Sequence, residues 1–331
     1  MVAQTILYPL RFEPIYQYRL WGGRRLSDLL RAPMPNGPIG EAWVLSDRDD
    51  YASKVADGDL KGQTIRQLMV TFSEPLMGNL AGCFRRFPLL LKFLDAHKML
   101  SVQVHPGYPP SRPLPAGEVA KTEAWVVVEA GKESRIDAGL RSGVTPDILR
   151  QSVKDGTLAD RLSSITPKPG DAVFIPAGTV HALGKDVVVF EIQQNSDTTF
   201  RLYDWGHVDV KTGKPRALQV EEALACVNFG ESAAGLVQPV IESAAPVARE
   251  RLFDCEAFRL WRLSGNLPFR VGAADLPRVL VCVEGAGKIE HGAATYAVGK
   301  GEVWILPAAV GICDFLPSDA VSLLEIALPA R

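Results

Sequence analysis

Two short stretches of the chain place candidate metal ligands two positions apart. Gln103 and His105 are separated by one valine, and Lys121 and Glu123 have the same spacing. Residues i and i+2 of a β-strand share a face, so each pair would present both side chains to the same side. Burying a carboxamide beside an imidazole is costly unless something polar is bound there. The spacing indicates a polar site, although a structural histidine and an exposed ion pair would give the same two patterns.

His181 is the third candidate ligand of this kind. It follows residues 169–176, where a Pro-Gly turn leads into an acidic residue, a short apolar strand and a closing proline. Such a turn would end the strand tightly and present His181 at the mouth of a barrel. Two histidines, a carboxylate and a glutamine oxygen form a donor set that suits Zn²⁺ and leaves a position open for water or substrate. The residues therefore predict a catalytic metal site with one Zn²⁺ per chain.

The elements that would position these side chains are short β-strands separated by glycine and proline. Many segments alternate apolar and polar residues or are brief apolar runs between turns, as in sandwiches and barrels. Residues 145–153 instead combine a helix-capping Thr-Pro-Asp start with apolar residues at helical spacing. The sequence predicts a mainly β fold with a few short helices inserted.

One segment of this β pattern recurs later in the chain. Residues 170–176 and 301–307 each contain a glycine, an acidic residue, an apolar strand and a closing proline. The recurrence predicts two related barrels, unless it is a chance match of two strand ends. His181 lies five residues beyond the first copy, and Ile312 lies five beyond the second. We therefore predict a metal-binding domain with helical insertions over residues 1–240 and a β domain without metal ligands over residues 241–331.

Composition and charge argue against several classes of function. The 36 basic and 38 acidic residues leave a net charge of −2 without a long basic run, so nucleic acid is not an expected partner. The apolar runs are too short to cross a membrane, and the N-terminus does not look like a signal peptide. Five isolated cysteines suggest thiols in a reducing compartment rather than disulfides. We expect a cytoplasmic monomer or homodimer.

Six blocks of the sequence are informative together: residues 21–23, 40–43, 87–92, 100–106, 121–125 and 191–205. They resemble the type I mannose-6-phosphate isomerases of the cupin superfamily, in their short bacterial form. The segment ending at His181 is also similar to the second conserved box of cupins. The resemblance implies a double cupin, built from two jelly-roll β-barrels. It also implies a zinc enzyme that interconverts mannose 6-phosphate and fructose 6-phosphate through an enediol or enediolate.

The same resemblance implies roles for individual residues. The family's catalytic residues fall on Arg201, Lys121 and Glu191. Longer relatives have a histidine directly before the lysine of this motif, whereas this chain has Ala120, so no histidine role carries over there. The family's zinc ligands fall on Gln103, His105, Glu123 and His181.

An aldose–ketose isomerisation would move a proton between C1 and C2 of a small sugar phosphate. Lys121 and Glu191 are candidates for that transfer, and neither is singled out as the base. Arg201 is a candidate for stabilising negative charge or anchoring the phosphate. Ser101 and Lys92 are either phosphate contacts or ordinary solvated polar residues.

Two other functions are compatible with the same donors. A cupin oxidoreductase, such as a non-haem metal dioxygenase, would use similar ligands but needs a redox metal and O₂. A non-catalytic sugar-binding cupin would be favoured by a broken metal site, yet all four ligand positions are intact. Lys121 and Arg201 suit an anionic, non-redox substrate, which favours the isomerase.

Overall fold

A computed structural model describes residues 7–107, 114, 118–230 and 234–329 of the 331-residue chain. The first twelve strands are β1 (Leu10–Arg11), β2 (Ile15–Gly23), β3 (Ile39–Leu45), β4 (Leu89–Ala96), β5 (Val102–Val104), β6 (Glu123–Ala130), β7 (Ile136–Leu140), β8 (Leu162–Ile165), β9 (Ala172–Ile175), β10 (His181–Leu183), β11 (Val187–Gln194) and β12 (Phe200–Tyr203). The later strands are β13 (Val208–Asp209), β14 (Lys214–Pro215), β15 (Val240–Ser243), β16 (Ala248–Asp254), β17 (Arg259–Gly265), β18 (Phe269–Val271), β19 (Arg278–Glu284), β20 (Ala286–His291), β21 (Ala294–Gly299), β22 (Val303–Leu306), β23 (Cys313–Pro317) and β24 (Val321–Ala327).

The helices are short and lie between strands. Thr145 caps α4 by accepting a hydrogen bond from the backbone N–H of Ile148, as its Thr-Pro-Asp start predicts. In the part of the chain that the structure describes, no helix has the length and apolar character needed to span a membrane. The α-helices are α1 (Leu26–Leu30), α2 (Ile65–Thr71), α3 (Ser73–Met77), α4 (Pro146–Lys154) and α5 (Val220–Cys226), with 3₁₀ turns at Gly78–Leu80 and Leu158–Arg161.

Four antiparallel sheets make up most of the molecule, and the mainly β prediction is confirmed. The first barrel combines a five-stranded sheet, in the order β12-β5-β10-β7-β8, with a six-stranded sheet, in the order β2-β3-β4-β11-β6-β9. The second combines a seven-stranded sheet, β1-β22-β19-β24-β17-β16-β15, with a four-stranded sheet, β18-β23-β20-β21. Strands β13 and β14 form a separate hairpin.

The six-stranded sheet is packed on both faces because its strands alternate between two environments. On β11, Phe190 and Ile192 join a large apolar cluster with residues of the seven-stranded sheet, such as Ile326. Val189 instead belongs to the apolar cluster inside the first barrel, and Glu191, two positions on, points into the same interior. The two barrels therefore share a core along one sheet, whose other face carries polar side chains.

Replacing Phe190 by Ala tests this shared core. Phe190 is fully buried and packs edge-to-face on Phe93, with ring centroids 5.3 Å apart. We expect the free energy of unfolding to fall by about 3–5 kcal/mol, because the cavity would lie between two sheets that cannot collapse independently. Denaturant unfolding followed by circular dichroism measures the change. Val210→Ala, at a highly exposed valine, is the control; a similar small loss in both variants would contradict the shared core.

The repeat predicted from the sequence has a common geometry in the two barrels. Gly170 and Gly301 adopt φ of 89° and 87°, a region that favours glycine. Their N–H groups donate to carbonyls of β6 and β19 at 2.9 and 2.8 Å. The following Asp171 and Glu302 each accept a hydrogen bond from the backbone N–H three residues earlier. The same type of turn thus leads into β9 in the first barrel and into β22 at the equivalent position of the second.

The second barrel is filled with apolar side chains. Trp261, Phe269 and Phe315 belong to its buried cluster. Ile312, at the position equivalent to His181, is 44% exposed. That the second barrel binds no metal stays a prediction.

The proposed division of the chain at residues 1–240 and 241–331 stays a prediction. Its boundary falls within β15, at the edge of the seven-stranded sheet. Strand β1, however, pairs with β22, with Leu10 opposite Ile305. The N-terminal segment therefore contributes to the second barrel as well as leading into the first.

Candidate active site

Three candidate ligands converge between the two sheets of the first barrel. Glu123 begins β6, His181 begins β10, and His105 directly follows β5. One ligand atom from each lies within 4.8 Å of the others, and all three side chains are buried. Among the described residues this is the one group of at least three His, Cys, Asp or Glu side chains that could hold a metal ion. The strand spacing and the turn before His181 bring these side chains together.

Backbone carbonyls fix the orientation of both imidazoles. His105 Nδ1 lies 2.9 Å from the Thr198 oxygen, and His181 Nδ1 lies 2.8 Å from the Thr179 oxygen. A carbonyl can only accept, so each Nδ1 carries the proton and donates it. Burial lowers the pKa of His181, and burial with the Lys121 ammonium lowers the pKa of His105 to about 3. Both rings are neutral at pH 7, so each Nε2 is free of a proton. His105 Nε2 lies 3.0 Å from Lys121 Nζ, and both Nε2 atoms lie near the Glu123 carboxylate.

Glu123 completes an electron-rich centre. Its carboxylate oxygens lie 3.3 Å from His105 Nε2 and 3.4 Å from His181 Nε2. Burial opposes its ionisation, but nearby positive charge, first of all the Lys121 ammonium, outweighs burial and holds the pKa of Glu123 well below 4.5. Neither oxygen accepts a well-formed hydrogen bond, although Lys121 Nζ lies 3.0 Å from one of them. Two lone pairs and an anion facing one another fit a divalent cation.

Gln103 lies beside this centre. It is opposite His181 in the register of β5 and β10. Its Nε2 lies 3.2 Å from His181 Nε2, while its Oε1 accepts a hydrogen bond from Ser101 at 3.2 Å. Turning the carboxamide by half a rotation would bring the oxygen to the same place. A ligand role for Gln103 needs that turned orientation, and it stays a prediction.

A cleft of about 400 Å³ opens beside the three buried ligands. Residues of both sheets of the first barrel line it, together with residues of the loops at the mouth of the barrel. Every predicted site residue outside the histidines and Glu123 lines this cleft. They are Ser101, Gln103, Lys121, Lys92, Glu191 and Arg201.

Lys92 is surrounded by carboxylates. Its Nζ lies 3.4 Å from Glu191 and 3.7 Å from both Glu41 and Asp197. Burial opposes protonation of Lys92, but the carboxylates of Glu41 and Glu191 outweigh burial and raise the pKa of Lys92. These neighbours already compensate its charge. Its contact with a phosphate stays a prediction, and its surroundings fit better with holding the carboxylates in place.

Glu191 has one engaged oxygen and one free oxygen. Trp125 Nε1 donates to its Oε1 at 3.0 Å. Its Oε2 is buried and accepts no hydrogen bond of good geometry, with the Lys92 ammonium 3.4 Å away. Burial and the charge of Glu123 raise the pKa of Glu191. A carboxylate with a raised pKa and a free oxygen in a cleft is suited to accepting a proton.

Arg201 lies on β12, opposite Gln103 in the register with β5. Its Nη1 donates to the carbonyl oxygen of Ala217 at 3.0 Å. Its Nε is buried without a hydrogen-bond partner. Burial and the neighbouring Arg216 lower the pKa of Arg201. Arg201 therefore faces the cleft with part of its donor capacity unused.

The cleft also contains charged residues that sequence reasoning did not identify. Arg19 donates two hydrogen bonds to Glu41, at 2.8 and 3.1 Å. Glu41 lies in the block at residues 40–43, which carried a family resemblance without a role for this carboxylate. Asp197 likewise lies in the block at residues 191–205. Arg19, Asp209 and Arg216 lie on segments without informative spacing. The charged residues in question are Arg19, Glu41, Asp197, Asp209 and Arg216.

Comparisons with known proteins agree with this architecture. The family model described as phosphomannose isomerase type I, catalytic domain, matches residues 10–128. Mannose-6-phosphate isomerase ManA of Bacillus subtilis (strain 168) is 34% identical over 314 residues, covering 92% of this chain and 94% of the relative. Mannose-6-phosphate isomerase of Streptococcus mutans is 34% identical over 312 residues, covering 93% and 95%. The crystal structure of the Bacillus subtilis mannose 6-phosphate isomerase has a TM-score of 0.87 and 29% identity, covering 96% of this chain and 98% of that one.

Proposed function

Because the chain belongs to the type I phosphomannose isomerase family, we propose that it interconverts mannose 6-phosphate and fructose 6-phosphate. The observation that carries the proposal is the convergence of His105, Glu123 and His181 beside a cleft lined with cationic side chains. Phosphorylated sugars are anionic and rich in oxygen, so such a cleft can bind both ends of the substrate.

The donor set favours Zn²⁺ as the metal. Nε2 of His105, Nε2 of His181 and the Glu123 carboxylate would hold it, with Gln103 as a further ligand once its carboxamide is turned. When bound, Zn²⁺ would polarise the C1 and C2 oxygens of the open-chain sugar and lower the cost of an enediolate. The carbonyl oxygens that accept from Nδ1 keep both rings aimed at the centre.

Glu191 is the residue we assign to the proton transfer between carbons. Its free Oε2 would take the proton from C2 of the aldose and return it to C1, while the proton of the C2 hydroxyl passes to the C1 oxygen. The reverse reaction would use the same carboxylate oxygen. Trp125 holds the other oxygen in place. Lys121, 3.0 Å from the Glu123 carboxylate, would stabilise negative charge that develops on the sugar oxygens.

The alternatives make different demands on the cleft. A dioxygenase would require a redox metal and consume O₂, whereas a binding protein would hold the sugar phosphate without converting it. The cationic residues of the cleft do not exclude binding alone. Direct measurement of turnover and of O₂ consumption separates the three functions.

Removal of the metal is expected to abolish isomerisation. Purified protein is treated with a chelator, freed of chelator by gel filtration and assayed for fructose 6-phosphate formed from mannose 6-phosphate. We expect activity to fall with metal content and to return on adding one equivalent of Zn²⁺, because the isolated donors cannot polarise the substrate. Mock-treated protein is the control. Full turnover by protein with no measurable metal would refute the metal requirement, and O₂ uptake with substrate would favour the oxidoreductase.

A further inference from the structure

A row of four charged side chains crosses the six-stranded sheet of the first barrel. They lie on the neighbouring strands β2, β3, β4 and β11, and the sign of the charge alternates along the row. All four side chains line the cleft. In strand order they are Arg19, Glu41, Lys92 and Glu191. The carboxylate that we assign to the proton transfer is therefore the last member of the row.

The contacts along the row are of unequal strength. Arg19 donates two hydrogen bonds to Glu41, at 2.8 and 3.1 Å, and Trp43 Nε1 donates a third at 2.6 Å. Lys92 Nζ lies 3.7 Å from Glu41 and 3.4 Å from Glu191, which is longer than a good hydrogen bond to either. Lys92 is therefore held between two carboxylates and is not bonded closely to one of them.

Glu41 and Glu191 compete for this one buried ammonium. Burial opposes the ionisation of Glu41, but Arg19 and Lys92 outweigh burial and hold the pKa of Glu41 well below 4.5. Burial and the charge of Glu123 raise the pKa of Glu191, whereas Lys92 opposes that rise. A stronger attraction of Lys92 to Glu41 would leave the charge of Glu191 less compensated. The proton affinity of Glu191 therefore depends on a carboxylate two strands away.

Other charged or titratable groups also face the row, and substitutions at its first two members leave these groups in place. Asp197 lies 3.7 Å from Lys92, but its side chain is 41% exposed, so water weakens its effect. Two charges of opposite sign act on Glu191 from the side of the metal centre. The groups are Asp197, Glu123, Lys121 and, beside Arg19, Tyr51.

We propose that Glu41 and Arg19 are positioning residues that set how strongly Lys92 pairs with Glu191. Glu41 acts by attracting Lys92, and Arg19 acts by compensating the charge of Glu41. The proposal rests on the proposed isomerase function, in which Glu191 accepts the proton from carbon. By drawing Lys92 towards itself, Glu41 would keep Glu191 a stronger base than a closely paired carboxylate would be.

Two substitutions should move the acidic limb of the pH profile of kcat/KM in opposite directions. Glu41→Gln frees Lys92 to pair with Glu191, so the limb should shift to lower pH. Arg19→Gln leaves the charge of Glu41 uncompensated and draws Lys92 away, so the limb should shift to higher pH. A charge in contact with a carboxyl group typically shifts its pKa by about 1–3 units, and these charges act through Lys92, so we expect about 0.5–1 unit. The substrate phosphate titrates identically in every assay and cannot produce opposite shifts.

Glu325→Gln is the matched control, because Glu325 is a buried carboxylate that accepts a hydrogen bond from Arg249 in the second barrel. It should leave the limb in place. Arg19→Lys keeps the charge without the planar fork and should return the limb most of the way to its wild-type position. Circular dichroism and metal content show whether each variant is folded and loaded with metal. If Glu41→Gln fails this check, Arg19→Gln and Arg19→Lys decide the question.

The protonation of Glu191 is also measured without turnover. Metal-loaded protein labelled at the glutamate carboxyl carbons is titrated by ¹³C NMR, and the Glu191 signal is the one missing from Glu191→Gln. Its midpoint should fall in Glu41→Gln and rise in Arg19→Gln. Opposite NMR shifts with an unmoved kinetic limb would support the pairing and count against Glu191 as the base.

Midpoints of the Glu191 signal that stay in place, or that move in the same direction in both variants, would overturn the proposal. A purely structural loss lowers activity but gives no reversal of sign. If the wild type forms no fructose 6-phosphate, the isomerase function fails, while the NMR titration still decides whether the row controls Glu191.

Discussion

Replacement of Glu123 by Gln is expected to remove both the bound metal and the isomerase activity. The substitution preserves size but replaces an anion, whose pKa lies well below 4.5, with a neutral amide. Outer-sphere partners of metal ligands typically contribute about 10–100-fold to affinity or activity, so losing a direct ligand should cost at least about 100-fold in kcat/KM. The remaining ligands would be two neutral imidazoles beside the Lys121 ammonium, which repels a cation.

Metal content per chain and kcat/KM are measured on the same preparation of Glu123→Gln. Glu129→Gln is the control, because Glu129 lies on the same strand, β6, away from the centre. A Glu123→Gln variant that keeps one metal per chain and wild-type turnover would show that the centre does not work as proposed.

Replacement of Glu191 by Gln is expected to abolish turnover while leaving the metal bound. The amide keeps the hydrogen bond from Trp125 possible but cannot accept a proton from carbon. Loss of a general base typically costs about 10²–10⁴-fold in rate. The contrast with Glu123→Gln is the informative part, because both substitutions remove one buried carboxylate from the same barrel.

The pH dependence provides a second test of Glu191. Burial and the charge of Glu123 raise its pKa above 4.5, and only the deprotonated carboxylate can act as the base. The wild-type kcat/KM should therefore fall as the pH drops through a value above 4.5, and the residual activity of Glu191→Gln should lack this limb. A variant within about tenfold of the wild type at every pH would remove Glu191 from the proton transfer.

The convergence of His105, Glu123 and His181 could be predicted because its determinants are local. The two-residue spacing places Gln103 beside His105, and a turn of recognisable composition precedes His181. Strand alternation and turn chemistry act over a few residues, so they are visible in the sequence. The mainly β double-cupin fold class follows from the same local patterns together with the family resemblance, and it is confirmed.

The outer part of the cleft could not be predicted in this way. Arg216 reaches the cleft because Asp204, twelve residues earlier, holds its guanidinium. A single arginine in a polar stretch has no periodicity, so only the folded chain reveals its partner. Lys92 interrupts an apolar run in the sequence, but its three carboxylate neighbours come from different strands and a loop. Ion pairs between residues far apart in the chain leave no pattern in the spacing of residues along the sequence.

The first barrel cannot be moved to another protein without the second. Its six-stranded sheet carries Lys92 and Glu191 on the side of the cleft, and Phe93 and Phe190 on the side of the second barrel. Grafting the first barrel onto another scaffold would expose the apolar face of this sheet to solvent. It would also leave Leu10–Arg11 without its partner strand. Conversely, substitutions that improve the packing of the second barrel would make the six-stranded sheet more rigid, because they act on its apolar face. An engineer could therefore adjust the rigidity of the candidate site without changing a residue that lines the cleft.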